Sequence, residues 1–87
     1  MTRDLIIVFK SKTEVFEFID RMNAAGAFTT TTGTPKEAKI GCGISAKTNA
    51  HNVNAVHKVL SENDFDGFFG VYSSVSVNGR TSRTRLV

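Results

Sequence analysis

The chain opens on an uninterrupted apolar run, Leu5-Ile6-Ile7-Val8-Phe9, flanked by Asp4 and Lys10. Five β-branched, aliphatic and aromatic residues between two charges predict a strand over Asp4 to Lys10, apolar on both faces. The period then changes from two to nearly four. Ser11-Lys12-Thr13-Glu14 has the spacing of a capping box, so Ser11 is expected to start a helix. Val15, Phe18, Ile19 and Met22 fall on one face of that helix, with Glu14, Glu17, Asp20 and Arg21 on the other. Glu17 and Arg21 are spaced as a favourable pair one turn apart. Gly26 is the expected stop. Phe28 to Thr32 is threonine-rich without apolar alternation, which predicts an edge strand. Gly33-Thr34-Pro35 breaks it, and Lys36 to Lys39 is a loop or a short helical turn.

Ile40 to Lys47 alternates again. Ile40, Cys42, Ile44 and Ala46 share one face, and Gly41, Gly43, Ser45 and Lys47 the other. Thr48 and Asn49 supply caps for a second helix, whose stripe is Val53, Val56 and Leu60, with His57 on its flank and Asn63 as its stop. Phe68 to Val77 is a long strand. Asn78-Gly79 between alternating segments is a type I′ hairpin signal, so Thr81 to Val87 either folds back as a fifth strand or frays as a basic tail.

This order, strand-helix-strand-strand-helix-strand, predicts an α+β chain. With right-handed crossovers it is a ferredoxin-like βαββαβ two-layer sandwich, one domain over 1–77, with 78–87 as a tail or an added strand. Both helices would cover one face of the sheet. The two-sided apolar first strand therefore calls for sheet-face dimerisation, hence a homodimer, or for packing of the tail.

Composition narrows the function. The chain has 87 residues, a single cysteine and a net charge of +3. One cysteine excludes an internal disulfide, a CxxC redox pair and a multi-cysteine zinc site, and it fits a reducing cytoplasm. There is no signal peptide pattern and no apolar run of about 18 residues, so no membrane is expected. Three arginines, Arg80, Arg83 and Arg85, lie in the last eight residues, so the excess charge belongs mainly to the tail. The third strand offers Gly41, Gly43, Ser45 and Lys47 where base-stacking aromatics would stand, which argues against the usual RNA-binding mode. Nucleic acid is then left with the arginine tail alone.

Two histidines and one cysteine at unlike spacings do not form a metal motif, and no resident cofactor is expected. His57 reads as a half-buried helix residue with its ring tip in water, and His51 as solvated at the helix start. Asp64 and Asp66 read as a solvated turn. Glu37 either braces its loop or faces water.

Cys42 carries the open question. Strand alternation aligns it with Ile40 and Ile44, and free cysteine is commonly buried. Against that, it lies near the start of its strand, between Gly41 and Gly43, where the sulfur would reach a rim. Lys36, Lys39 and Lys47 are near in sequence and would favour a thiolate, and the preceding loop could offer N–H groups to an anion.

The segment Thr34-Pro35-Lys36-Glu37-Ala38-Lys39-Ile40-Gly41-Cys42-Gly43-Ile44 resembles the selenium/sulfur carrier-like family, small bacterial domains that pair a Thr-Pro-Arg-Glu loop with a downstream Cys-Gly. The likeness runs from the first strand to Phe69-Gly70-Val71-Tyr72, about residues 4 to 74, and leaves out the tail. It implies a carrier without turnover of its own, with Cys42 holding sulfur or selenium as a covalent persulfide or perselenide. Thr34, Pro35, Lys36, Glu37, Lys39, Gly41 and Gly43 would form the surrounding loop. A cysteine desulfurase-like donor and a sulfur or selenium acceptor protein would be the partners. The sequence departs from the pattern at Gly33, often proline, and at Ala38 and Lys39. Lys36 stands for the usual arginine and cannot make a bidentate guanidinium contact. The alternative is a binding or assembly module pairing through its sheet face, with Cys42 structural.

Overall fold

The computed structural model describes residues 2–39 and 42–87. It is α+β, with a five-stranded antiparallel sheet and two helices. Strand β1 (Thr2–Phe9) leads to helix α1 (Lys12–Ala24), then β2 (Thr29–Gly33), β3 (Ile44–Asn49), helix α2 (Val53–Glu62), β4 (Phe68–Val77) and β5 (Arg80–Arg85). The sheet order is β2-β3-β1-β4-β5, and each neighbouring pair is antiparallel. The apolar opening run thus takes the central position, where both faces can be covered.

Local signals account for most of these elements. Ser11 caps α1, its Oγ accepting from the Glu14 N–H at 3.3 Å. Glu14 also accepts from the Gly67 N–H at 2.9 Å, fastening the helix start to the turn before β4. A Cβ at Gly67 would collide with that carboxylate. The α1 stripe is as expected, with Val15, Phe18 and Met22 fully buried and Ile19 packed beside them. Glu17 and Arg21 pair at 3.2 Å.

The α2 stripe differs from the expected one. Val56 and Val59 are buried and Leu60 is partly so, whereas Val53 is exposed. Val53 begins the helix, directly after a 3₁₀ turn over Ala50–Asn52, and lines an open groove with Leu5 and Val71. His57 is exposed, not half-buried.

The larger core lies between the helices and one sheet face. Leu5, Ile7, Phe9, Ala46 and Val71 meet Val15, Phe18, Met22, Val56, Val59 and Phe65. Phe9 is its centre, with ring centroids 5.4 Å from Phe18, 5.2 Å from Phe65 and 6.0 Å from Phe68.

The opposite face carries a second, smaller cluster: Ile6, Val8 and Tyr72, with Ala38 buried against them and Phe69 alongside. The cover anticipated from a second copy or from packing of the tail is supplied in part by the tail, whose Arg85 lies over the Phe69 and Tyr72 rings, and in part by the chain's own loop. The 3₁₀ turn Lys36–Ala38 crosses this face and seats the Ala38 methyl on it.

The C-terminal segment is a strand. Asn78 and Gly79 both have positive φ (51° and 79°), as a type I′ turn demands, and β5 pairs along β4 from Arg80↔Val77 to Arg85↔Tyr72. A single side chain fixes its end. The Arg85 guanidinium donates to the Phe69 carbonyl at 2.7 Å and to the Val87 carbonyl at 2.8 Å, and sits 4.7 Å from the Phe69 ring centroid. It fits because Gly70 lacks a side chain; a Cβ there would lie 2.8 Å from the Val87 oxygen and 3.1 Å from Arg85 Nε. Arg85→Ala is expected to lower stability by about 1–2 kcal/mol, and Gly70→Ala to act the same way. Denaturation midpoints unchanged in both variants would remove Arg85 as the latch of β5.

Candidate functional site

The segment between β2 and β3 forms the candidate site. Pro35 has no N–H to continue the β2 ladder, and the chain turns there across the sheet. The turn is closed by the Ala38 N–H to the Pro35 carbonyl (3.0 Å) and the Lys39 N–H to the Lys36 carbonyl (3.3 Å), and Lys39 takes a left-handed conformation (φ 49°). At the base of the loop, the Thr34 N–H meets the Gly43 carbonyl at 3.2 Å, and the Thr34 hydroxyl lies 2.7 Å from that of fully buried Ser45. The sequence placed Ser45 on the strand face opposite Ile44 and Ala46 and gave no sign of its burial.

Cys42 lies outside the strand. The alternation expected from Ile40 is observed only from Ile44, where Ile44 and Ala46 face the core. The reason is pairing: the β2–β3 ladder ends at Gly33↔Ile44, and the β1–β3 ladder ends at Ile7↔Ala46. Beyond these pairs only the Thr34 N–H bond to the Gly43 carbonyl continues among the described residues, and Cys42 and Gly43 are not held as a strand. Ile40 and Gly41 lie outside the described residues. The Cys42 thiol is free and half-buried, and it donates to the Ile44 carbonyl at 3.4 Å.

Thr34, Pro35, Lys36, Lys39, Cys42 and Gly43 together line one shallow, open depression of about 380 Å³. Six of the residues singled out in the sequence thus meet around one space. Glu37 is exposed on the loop and does not line it. Lys47 does not either. It lies in a separate groove with Asp4, Phe28, Asn49 and His51, because its register opposite Thr30 and Ile6 places it down the sheet. The expected N–H nest is also reduced, since the N–H groups of Thr34, Ala38 and Lys39 donate within the loop. Positive charge at the depression comes from the Lys36 and Lys39 ammonium groups. The arrangement is that of a half-buried sulfur in an open, cation-flanked depression.

Sequence reasoning missed the part played by Ala38. Its burial on Ile6, Val8 and Tyr72 positions the loop, yet a lone alanine in a polar loop carries no local signal. Among the described residues, no three His, Cys, Asp or Glu side chains gather as a metal site, and no helix is long and apolar enough to cross a membrane.

The fold and the site together define a small α+β, thiol-bearing domain with its cysteine in an open, lysine-flanked depression. The model of the family described as "Putative Se/S carrier protein-like" matches residues 4–68, and the chain belongs to that family. The match spans β1 to the start of β4 and so stops short of Phe69-Gly70-Val71-Tyr72. No curated protein and no solved structure matches the chain.

Proposed function

We propose that the protein carries sulfur or selenium on Cys42, on a ferredoxin-like scaffold extended by β5. Family membership supports the carrier role. The strand order β2-β3-β1-β4, antiparallel throughout, supports the scaffold. The observation that carries the reading is the position of the thiol: in the loop before β3, half-buried in an open depression beside Lys36 and Lys39.

The Cys42 thiolate attacks the terminal sulfur of a donor's persulfide. A new S–S bond forms at Cys42, the donor's S–S bond breaks, and the donor cysteine leaves as a thiolate. The terminal sulfur keeps its hydrogen, so no outside oxidant or reductant enters. An acceptor thiolate attacking the same terminal sulfur reverses the exchange and unloads the carrier. Selenium follows the same course as a perselenide. A cysteine desulfurase-like donor and a sulfur- or selenium-using acceptor protein are the fitting partners, and a reducing compartment such as the cytoplasm the fitting setting. Lys36 and Lys39 line the same depression and attract an anionic partner, and Gly43 leaves room for the incoming sulfur.

Alkylation of native against urea-unfolded protein tests this. With iodoacetamide at neutral pH, the native thiol is expected to react at least as fast as the unfolded one. A native rate limited by unfolding would place Cys42 in the core and transfer the proposal to the assembly-module reading.

A further inference from the structure

The two outer strands of the sheet are built differently. β5 carries Arg80, Arg83 and Arg85, and charged side chains on an edge discourage further strand pairing. β2, Thr-Thr-Thr-Thr-Gly, has no charge and no proline, and its last residue precedes the Thr34–Pro35 wall of the Cys42 depression.

The register shows which backbone groups this edge presents. The Thr34 N–H bonds to the carbonyl of Gly43, its opposite number beyond Gly33↔Ile44. In an antiparallel ladder bonded pairs alternate, so Thr32 and Thr30 also direct their N–H and C=O groups toward β3. Thr29, Thr31 and Gly33 direct theirs outward. Thr29 confirms the parity: its N–H and C=O are both taken by the Asn23 side chain, at 2.9 and 3.1 Å. Asn23 thus caps one end of the edge. Thr31 and Gly33 are exposed at the other end, the one next to Cys42. Among the described loop residues, Ala38 packs inward over β1 and β4.

We infer that the edge of β2 docks an extended segment of a partner protein, pairing with Thr31 and Gly33 and delivering a cysteine of that segment to Cys42. This rests on the carrier reading and adds the form of the partner: a flexible, strand-forming stretch with the sulfur-bearing cysteine at its start. Antiparallel addition sets that order, since the added strand then runs from the depression toward Phe28. Such pairing takes its affinity from main-chain hydrogen bonds and its register from alternate residues. Asn23 limits the pairing to the two residues beside the thiol, so the cysteine is placed and not merely held nearby.

The test uses the full chain and a fluorescein-labelled peptide in which a serine, standing for the cysteine, precedes five alternating valine and threonine residues. Fluorescence anisotropy is expected to show binding of this peptide to the wild type. N-methylation of the peptide residues whose N–H groups face β2 is expected to weaken binding at least about tenfold, while methylation of the intervening residues leaves it unchanged. Thr31→Pro removes an outward N–H without touching the β3 ladder and should weaken binding similarly, but the methylated peptides keep the test decisive if that variant misfolds. Equal binding of both methylated peptides overturns the docking mode. So does a dimer, seen by sedimentation, that the peptide cannot displace, because β2 then pairs with a second copy. Loading of Cys42 by glutathione persulfide needs no docking segment and is read separately by mass spectrometry. Failure there, with register-specific peptide binding intact, sinks the carrier reading and the delivery of cysteine together, whereas loading without such binding sinks only the docking.

Discussion

Cys42→Ser is expected to abolish sulfane-sulfur loading while leaving the fold in place. The exchange needs a sulfur nucleophile, and a serine hydroxyl is not deprotonated at neutral pH and does not form a stable bond to a terminal sulfur in its place. The chain has no second cysteine to take over. The structural loss is small: one weak thiol contact to the Ile44 carbonyl, in a half-buried position that a hydroxyl can occupy. Mass spectrometry after incubation with a persulfide donor should show one added sulfur on the wild type and none on the variant, with matching denaturation midpoints. Charge reversal at both flanking positions, Lys36→Glu with Lys39→Glu, should slow loading by about tenfold or more at low ionic strength, and less at high salt. Equal loading of Cys42→Ser would mean that the sulfur is attached elsewhere, and the carrier reading would fall.

The largest loss of stability is expected from Phe9→Ala. Phe9 is fully buried and touches three other aromatic rings in the centre of the larger core. Truncating such a phenylalanine costs about 3–5 kcal/mol, through lost burial and the cavity left behind. A domain of this size has about 4–13 kcal/mol in total, so the loss removes a large share of it. Phe28→Ala is the control: Phe28 is 78% exposed, and its loss should change stability by no more than about 0.5 kcal/mol. Urea denaturation followed by circular dichroism separates them. A Phe9→Ala midpoint close to that of Phe28→Ala would refute the placing of the core.

Much of the fold was legible because its signals are local. Ser11 and Glu14, the 3.6-residue stripe of α1, the unbroken apolar β1 and the Asn78-Gly79 turn each act within a few residues. What was not legible depends on distant neighbours. Cys42 looked like a strand residue because Ile40, Ile44 and Ala46 alternate with it, but a strand lasts only while another chain segment pairs with it, and the ladder ends at Ile44. Val59 was passed over for Val53, yet Val59 is buried and Val53 exposed, because the face α2 turns to the core is set by its partners in the sheet and α1. Arg85 read as tail charge; its role as a latch requires Gly70 and the Phe69 carbonyl, 15 and 16 residues away. At the candidate site, the local cluster Thr34 to Gly43 was visible in the sequence, while Lys47 was separated from it by the register of β3.

The seat of Ala38 on the second face sets the reach of the thiol. Swinging-arm carriers move their cargo on a long tether. Here the tether is short at both ends: Ala38 is pinned four residues before Cys42, and Ile44 enters the sheet two residues after it. Two residues span at most about 7 Å, so the Cys42 Cα stays within that radius of the β3 start and the sulfur reaches only a side chain's length further. The distance between two active centres must then be crossed by the partner's chain, and a donor or acceptor whose own cysteine sits rigidly at the bottom of a deep pocket would be out of range.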